Sequence, residues 1–104
     1  MEKQIDLIVK HGIPVVSSRT VADVFEKEHE DVLKSIDTLI RAAKNLVDLN
    51  VWFIESREMD SRGRAQKIYY MTRGGFSLLA MEFTGKKAMQ LKAAFIERFK
   101  EKEF

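Results

Sequence analysis

The chain has 104 residues, of which 45% are hydrophobic and 33% charged, and it contains no cysteine. This composition is typical of one globular domain with a modest core, and it excludes a disordered chain, disulfide bonds and cysteine-based zinc fingers. No apolar run approaches the roughly 20 residues that span a bilayer, and the N-terminus lacks a signal-peptide pattern. We therefore expect a single cytosolic domain over residues 1–104.

The net charge of +2 is distributed unevenly along the chain. Residues 1–50 contain seven lysines and arginines against nine acidic residues, whereas residues 51–104 contain eleven against seven. A surface that binds a polyanion is therefore expected to come mainly from the second half.

Two short strands are predicted first, at residues 5–9 and 13–16, with a turn at Gly12. Pro14 suits an edge position, because proline cannot donate to a strand ladder. A short helix follows, for which Ser17 is the expected N-cap, and its residues Val21, Val24 and Phe25 share one face. A polar link over residues 26–31 leads to a second helix, so this stretch has the outline of a helix-turn-helix.

The second helix, over residues 30–43, has an apolar arc and an opposite polar arc. The polar arc carries Lys34, Thr38 and Arg41, and with Ser35 these residues are predicted to contact bases if the helix enters a major groove. Its acidic start suits the helix dipole but not a phosphate, so end-on insertion is not expected. Two amphipathic helices with a short link also occur in many small domains that bind no DNA.

A β-hairpin is predicted next, with strands at residues 51–58 and 67–71 and a polar, glycine-containing tip. A hairpin placed after a helix-turn-helix is the element order of a winged helix. Its tip carries Arg62 and Arg64, flanked by Arg57 and Lys67, and these cations are predicted to bind phosphates. An ordinary solvated turn is the alternative.

Two helices complete the predicted fold. Thr72 is the expected cap of an apolar, buried helix, and Thr84 is the expected cap of the last one, residues 86–102. One stripe of the last helix, which ends in Phe99, should face the core. A second stripe, Met89 and Ile96, is either additional core or the surface of a homodimer. We predict a homodimer.

Residues 57–92 hold eight lysines and arginines against three acids and form the predicted electrostatic face. Affinity is expected from this face and sequence preference from the second helix, although Glu30 and Asp37 stand four residues before Lys34 and Arg41 and are expected to pair with them. The predicted DNA-binding residues are Lys34, Ser35, Thr38, Arg41, Arg57, Arg62, Arg64, Lys67, Arg73, Lys86 and Lys87.

Several blocks of sequence between about residues 15 and 100 resemble one known family, in the same order. A Thr-Arg-x-Gly-Phe helix start matches Thr72 to Phe76 and a Phe-Thr-Gly-Lys-Lys-Ala segment matches Phe83 to Ala88. Further matches lie at residues 17–22, 27–33, 53–56, 63–64 and 92–99. In these blocks the chain resembles the phage regulatory protein Rha family of temperate phages and prophages.

The resemblance implies a regulator of phage gene transcription that binds DNA in the bacterial cytoplasm. Many relatives carry an additional C-terminal domain, so the chain is expected to be a minimal member or the N-terminal domain of a longer protein. Two departures concern the helix pair: Thr20 stands where the family often has Glu, and Glu28 and Glu30 stand where basic or neutral residues are common.

The sequence does not predict an enzyme, a cofactor, a metal or a small-molecule substrate. The Gly85-Lys86-Lys87 segment lacks both the first glycine of a phosphate loop and the Ser or Thr after the lysine. His11 and His29 have no cysteine to complete a metal site.

We therefore predict an α+β, winged-helix-like domain that binds duplex DNA. The alternative is a protein-interaction module that binds a repressor or host factor through Trp52 and the Met89–Ile96 stripe. RNA binding, which would use the same basic hairpin, is a third possibility.

Overall fold

A four-stranded antiparallel sheet organises residues 4–103, the part of the chain that this computed structural model describes. Its strands are β1 (Leu7–Lys10), β2 (Ile13–Ser17), β3 (Phe53–Met59) and β4 (Ala65–Met71), in the order β1-β2-β4-β3 across the sheet. The turn between β1 and β2 has positive φ at both central residues, His11 (52°) and Gly12 (79°), as a two-residue hairpin turn requires. The predicted turn at Gly12 is confirmed.

β2 changes neighbours along its length. Residues 13–15 pair with β1 alone, Val16 pairs with both β1 and Met71 of β4, and Ser17 pairs with Tyr70 of β4 alone. Pro14 lies in the part that has a single neighbour, which agrees with its predicted edge position.

Within residues 4–103, four α-helices pack around the sheet: α1 (Ser18–Val24), α2 (His29–Ala43), α3 (Arg73–Ala80) and α4 (Lys86–Lys102). The predicted caps of α1 and α3 are confirmed, because Ser17 accepts from the N–H of Thr20 at 3.1 Å and Thr72 accepts from that of Gly75 at 3.2 Å. The predicted cap of α4 is wrong. Gly85 precedes this helix with a φ of 103° and without a side-chain cap.

Two predicted boundaries also need correction. α2 begins at His29, so Glu30 and Asp31 belong to its first turn and not to the link before it. Val51 and Trp52 do not extend β3, because residues Leu49–Val51 form a 3₁₀ turn that ends at Trp52. The carbonyl of Trp52 accepts from the N–H of Thr72 at 3.0 Å and so closes the base of the hairpin.

The core is rich in phenylalanine. The rings of Phe76 and Phe95 stack with their centroids 4.5 Å apart, and Phe25 stacks on Phe95 at 5.5 Å. Phe95 and Phe99 are fully buried, which confirms the predicted core stripe of α4. The predicted α+β class is confirmed. Among the helices of residues 4–103, none is long and apolar enough to cross a membrane.

Candidate nucleic-acid interface

The tip of the β3–β4 hairpin is organised by the carboxylate of Asp60. One of its oxygens accepts from the backbone N–H groups of Arg62 at 2.9 Å and Arg64 at 2.8 Å. The other accepts from the side-chain amide of Gln66 at 3.1 Å, and Gly63 takes the positive φ of 79° that the turn needs. The two exposed arginines are therefore carried by an ordered tip.

The hairpin arginines differ in their partners. The Nε of Arg64 lies 3.7 Å from the carboxylate of Asp60. Across residues 4–103, no carboxylate lies within 4 Å of the guanidinium of Arg62 or of Arg57. Arg57 is exposed and stands opposite Lys67 in the ladder. Arg62 and Arg57 are therefore the hairpin cations most available to an anion.

A partly buried polar contact docks the hairpin on α2. The hydroxyl of Tyr69 donates to Asp37 at 2.6 Å, and the ammonium of Lys67 lies 3.3 Å from the same carboxylate. Lys67 also lies 4.0 Å from Glu55. Burial of the phenol, together with its bond to Asp37, raises the pKa of Tyr69. The nearby phenol of Tyr69 and then the carboxylate of Asp37 raise the pKa of Lys67, so this lysine is a cation in the folded chain.

The exposed arc of α2 carries the residues predicted to contact bases. Lys34 lies 3.5 Å from Glu30, as predicted. The predicted pair of Arg41 with Asp37 is wrong, because Asp37 is turned to the hairpin and Arg41 donates to the hydroxyl of Thr38 at 3.5 Å. Ser35 donates to Glu82 at 3.1 Å and is half-buried, so it lies toward one side of the arc.

The remaining predicted cations are distributed over other parts of the surface. Lys87 lies 3.9 Å from Glu26, which places the start of α4 beside the α1–α2 link, and Lys86 is exposed next to it. Arg73 follows the end of β4 that is remote from the tip, and Glu103 holds its guanidinium at 2.9 Å. The structure therefore brings the hairpin and α2 together and leaves Arg73 outside that group.

A hydrogen-bond relay joins the sheet to both helices of the pair. The buried hydroxyl of Ser18 accepts from the N–H of Tyr69 at 3.0 Å and lies 2.8 Å from the Nε2 of His29. Since Ser18 already accepts a bond, its proton is available to His29, which then accepts as a neutral ring. Burial, followed by the nearby charge of Arg19, lowers the pKa of His29.

The two residues of the predicted homodimer stripe differ in burial. Met89 is 69% exposed. Ile96 is half-buried and packs against the hydrophobic core. Most of the exposed apolar surface of this stripe therefore belongs to Met89.

Sequence reasoning missed the roles of several residues of this site. Asp37 was expected to pair with Arg41 on the helix surface, and a solvated turn was the alternative for the hairpin tip, which contains Asp60. Arg19, at the start of α1, donates to Gln66 and lies 3.7 Å from Glu58 on the hairpin. The spacing of Asp60 to the two following arginines was the one available signal, because aspartate often accepts from backbone N–H groups in turns.

These features define a small α+β domain in which a cationic hairpin is fixed against a two-helix unit. The sequence pattern of the family described as phage regulatory protein Rha matches residues 16–103. The chain belongs to this family, and the family predicted from its sequence blocks is confirmed.

Two curated proteins are similar to the chain. One, from Bacillus subtilis (strain 168), is named "SPbeta prophage-derived putative antirepressor protein YoqD" and is 35% identical over 104 residues, which cover 99% of this chain and 41% of that protein. The other is an uncharacterized protein of Haemophilus influenzae, 38% identical over 87 residues, 82% of this chain and 49% of its own length. The chain spans less than half the length of these relatives. No solved structure matches it.

Proposed function

We propose that the chain is the DNA-binding domain of a phage transcription regulator, built as a winged helix-turn-helix. In this proposal α1 and α2 are the helix-turn-helix, the exposed arc of α2 reads the major groove, and the β3–β4 hairpin is the wing. The domain acts in the bacterial cytoplasm and has no catalytic activity.

The observation that supports this proposal most is the docking of the hairpin on α2. Tyr69 and Lys67 bond to Asp37 in the middle of α2, so the wing and the reading helix have a fixed relative position. Arg57 and Arg62 remain without a carboxylate partner among the described residues and are exposed. Free cations beside an exposed helix suit a duplex, whose phosphates flank the groove.

The roles of α2 and the hairpin should be separable. Phosphate contacts by Arg57 and Arg62 are expected to supply most of the affinity, and these contacts weaken as salt rises. Lys34, Thr38 and Arg41 are expected to supply sequence preference, at about 1–3 kcal/mol for each good base contact. Because Glu30 holds Lys34 at 3.5 Å, Thr38 and Arg41 are the stronger candidates.

The experiment is a titration of a labelled duplex, followed by fluorescence anisotropy, over a series of salt concentrations. The wild-type chain should bind at low salt, and the logarithm of its binding constant should fall linearly with the logarithm of the salt concentration. Competition with single-stranded DNA and with duplex RNA distinguishes binding of duplex DNA from the RNA-binding alternative. If no nucleic acid binds at low salt, the proposal is wrong and a protein partner becomes the better explanation.

A second candidate function is binding to a regulatory protein, as the word antirepressor in the name of the Bacillus relative suggests for that protein. The observation in its favour is an exposed apolar segment after α2, where Leu46 is 88%, Val51 63% and Trp52 37% exposed. Such residues are enriched at protein interfaces when they cluster. Under this candidate, replacement of Leu46 by Ser would abolish regulation in a reporter strain without changing duplex affinity.

Homodimerisation through the last helix stays a prediction. Met89→Glu alone tests it, because Met89 is exposed while a charge at Ile96 would also disturb the core. Sedimentation should show a monomer if this surface forms the dimer.

A further inference from the structure

β3 forms a long open edge of the sheet. It is the last strand in the order β1-β2-β4-β3, and its seven residues pair one to one with β4, without a bulge. β1, at the other edge, has four residues and ends in Lys10. Proteins protect edges with short strands, bulges, lysine or proline. β3 is long and has no bulge, lysine or proline, and its edge carries only the charges of Glu55, Arg57 and Glu58.

The hydrogen-bonding groups that point to this open edge can be identified from the ladder. At its two ends, Trp52 accepts from Thr72 and Asp60 donates to Arg64. Hydrogen-bonded and non-bonded pairs alternate along an antiparallel ladder, so the even-numbered residues of β3 are bonded to β4. The N–H and C=O groups of the odd-numbered residues, which include Glu55 and Arg57, therefore point outward.

The charges of β3 select one partner and one register. In each copy of β3 only the odd-numbered residues point their N–H and C=O groups outward. Two antiparallel copies can therefore bond to each other only when odd-numbered residues of one stand opposite odd-numbered residues of the other. When the pairing is centred on Ser56, Glu55 of each copy stands opposite Arg57 of the other, and all seven residues overlap. A shift of the incoming strand by two residues in either direction would bring Glu55 opposite Glu55 or Arg57 opposite Arg57. Opposite charges stabilise such pairs and like charges destabilise them.

We propose that β3 pairs with β3 of a second copy of this chain, antiparallel and centred on Ser56, to form a continuous eight-stranded sheet. Glu55 and Arg57 are both exposed and on the same face of the strand, so the interface contains two reciprocal ion pairs, to each of which either copy contributes one residue. The inference does not depend on DNA binding. In this dimer Arg57 is an interface residue, so the phosphate contacts proposed for the two arginines of each hairpin are then made by Arg62 alone.

Ser56 provides a register-specific test because it would lie on the two-fold axis. It would face its own copy as a non-hydrogen-bonded pair, with Cα atoms about 4.5 Å apart, within the range of a disulfide. The chain has no cysteine, so Ser56→Cys introduces a single thiol. Under mild oxidation this variant should form a covalent dimer on a non-reducing gel.

Ile54→Cys is the matched control. Ile54 lies on the same face of β3 as Ser56, but in the proposed register it stands opposite Glu58. The two introduced thiols would then be separated by about 13 Å along the strands. The proposal predicts at least tenfold faster cross-linking of Ser56→Cys, on the basis of this separation. Equal rates for the two variants, or no cross-linking of either, would overturn it.

A charge exchange gives a second test by sedimentation in the absence of nucleic acid. Arg57→Glu places two acidic pairs at the interface and should raise the dimer dissociation constant by about tenfold. The double variant Glu55→Arg, Arg57→Glu restores opposite charges and should return that constant to the wild-type value. A wild-type chain that is monomeric at every concentration, or a double variant no better than Arg57→Glu, would contradict the proposal.

Discussion

The hydroxyl of Tyr69 and the carboxylate of Asp37 are joined by a 2.6 Å hydrogen bond across 32 positions of sequence. It connects a central strand of the sheet with the middle of α2, and Lys67 reaches the same carboxylate at 3.3 Å. Asp37 and Lys67 are each partly exposed, so their ion pair adds little by itself. The phenol–carboxylate bond is the stronger link between hairpin and helix, because bonds to a charged acceptor are stronger than neutral ones.

Tyr69→Phe should therefore lower the free energy of unfolding by about 1–2 kcal/mol, since the ring is kept and only this bond is lost. Urea denaturation measures the change. Tyr70→Phe is the matched control, because Tyr70 is the next residue in β4 and no hydrogen bond of its hydroxyl is found among the described residues. Equal midpoints for the two variants would mean that the Tyr69–Asp37 bond does not stabilise the fold.

Gly75 is required by the close approach of α3 to the base of the hairpin. A Cβ at this position would lie 2.6 Å from the carbonyl oxygen of Trp52, which is the acceptor of the Thr72 N–H. We expect Gly75→Ala to destabilise the fold by about 1–3 kcal/mol through this overlap. In Gly74→Ala the new Cβ would touch the Trp52 ring at 3.6 Å, so the higher helix propensity of alanine should keep stability unchanged or raise it. Thermal denaturation of the two variants compares them directly.

His29 should make stability dependent on pH. Its pKa is lowered in the folded chain from the ordinary 6.5, mainly by burial, so the unfolded chain binds a proton more readily. The stabilisation is complete above pH 6.5 and is lost as the pH falls through this value toward the lower folded pKa. For the wild type, the urea midpoint should be lower at pH 5.5 than at pH 7.5. These pH values lie about one unit either side of the ordinary histidine pKa.

Two variants assign that pH dependence to one residue. His29→Gln should reduce the difference between the two midpoints. His11→Asn serves as the control for loss of a histidine elsewhere, in the exposed β1–β2 turn. If His29→Gln shows the same difference as the wild type, other groups cause the pH dependence.

The two arginines of the hairpin tip should contribute unequally to duplex binding. Arg64 is 3.7 Å from Asp60, whereas Arg62 has no carboxylate within 4 Å among the residues described. Arg62→Ala should therefore reduce the magnitude of the salt slope by about one, the value for one lost phosphate contact. Arg64→Ala, with the same loss of charge at the same tip, should change it less. Equal effects would mean that Asp60 does not compete with phosphate for Arg64.

Local features of this fold could be predicted from the sequence, and distant pairings could not. The caps Ser17 and Thr72 bond to backbone groups three residues away, so their residue type and position suffice. The bonds of Asp37 depend on how the hairpin packs against α2, and a helical spacing rule pointed to Arg41 instead. Thr84 failed as a cap because Gly85, with its positive φ, stands between it and α4.

The same limit applied to the candidate site. A charge count gave the cations of residues 57–92 as one face, but it could not tell which of them the fold pairs with carboxylates. Arg73 is paired with Glu103, thirty positions further along, whereas Arg62 is left free within residues 4–103. Hydropathy likewise grouped Ile96 with Met89, although one packs on the core and the other is exposed.

The central claim is that α2 and the hairpin contact one duplex together. The most direct measurement is a two-dimensional ¹⁵N NMR titration of the 104-residue chain with a duplex at low salt, which reports every backbone amide. The account predicts that the amides around Thr38, Arg41 and Arg62 shift together, while those around Trp52 and Arg73 do not. Shifts confined to the segment around Trp52, or no shifts at all, would contradict it.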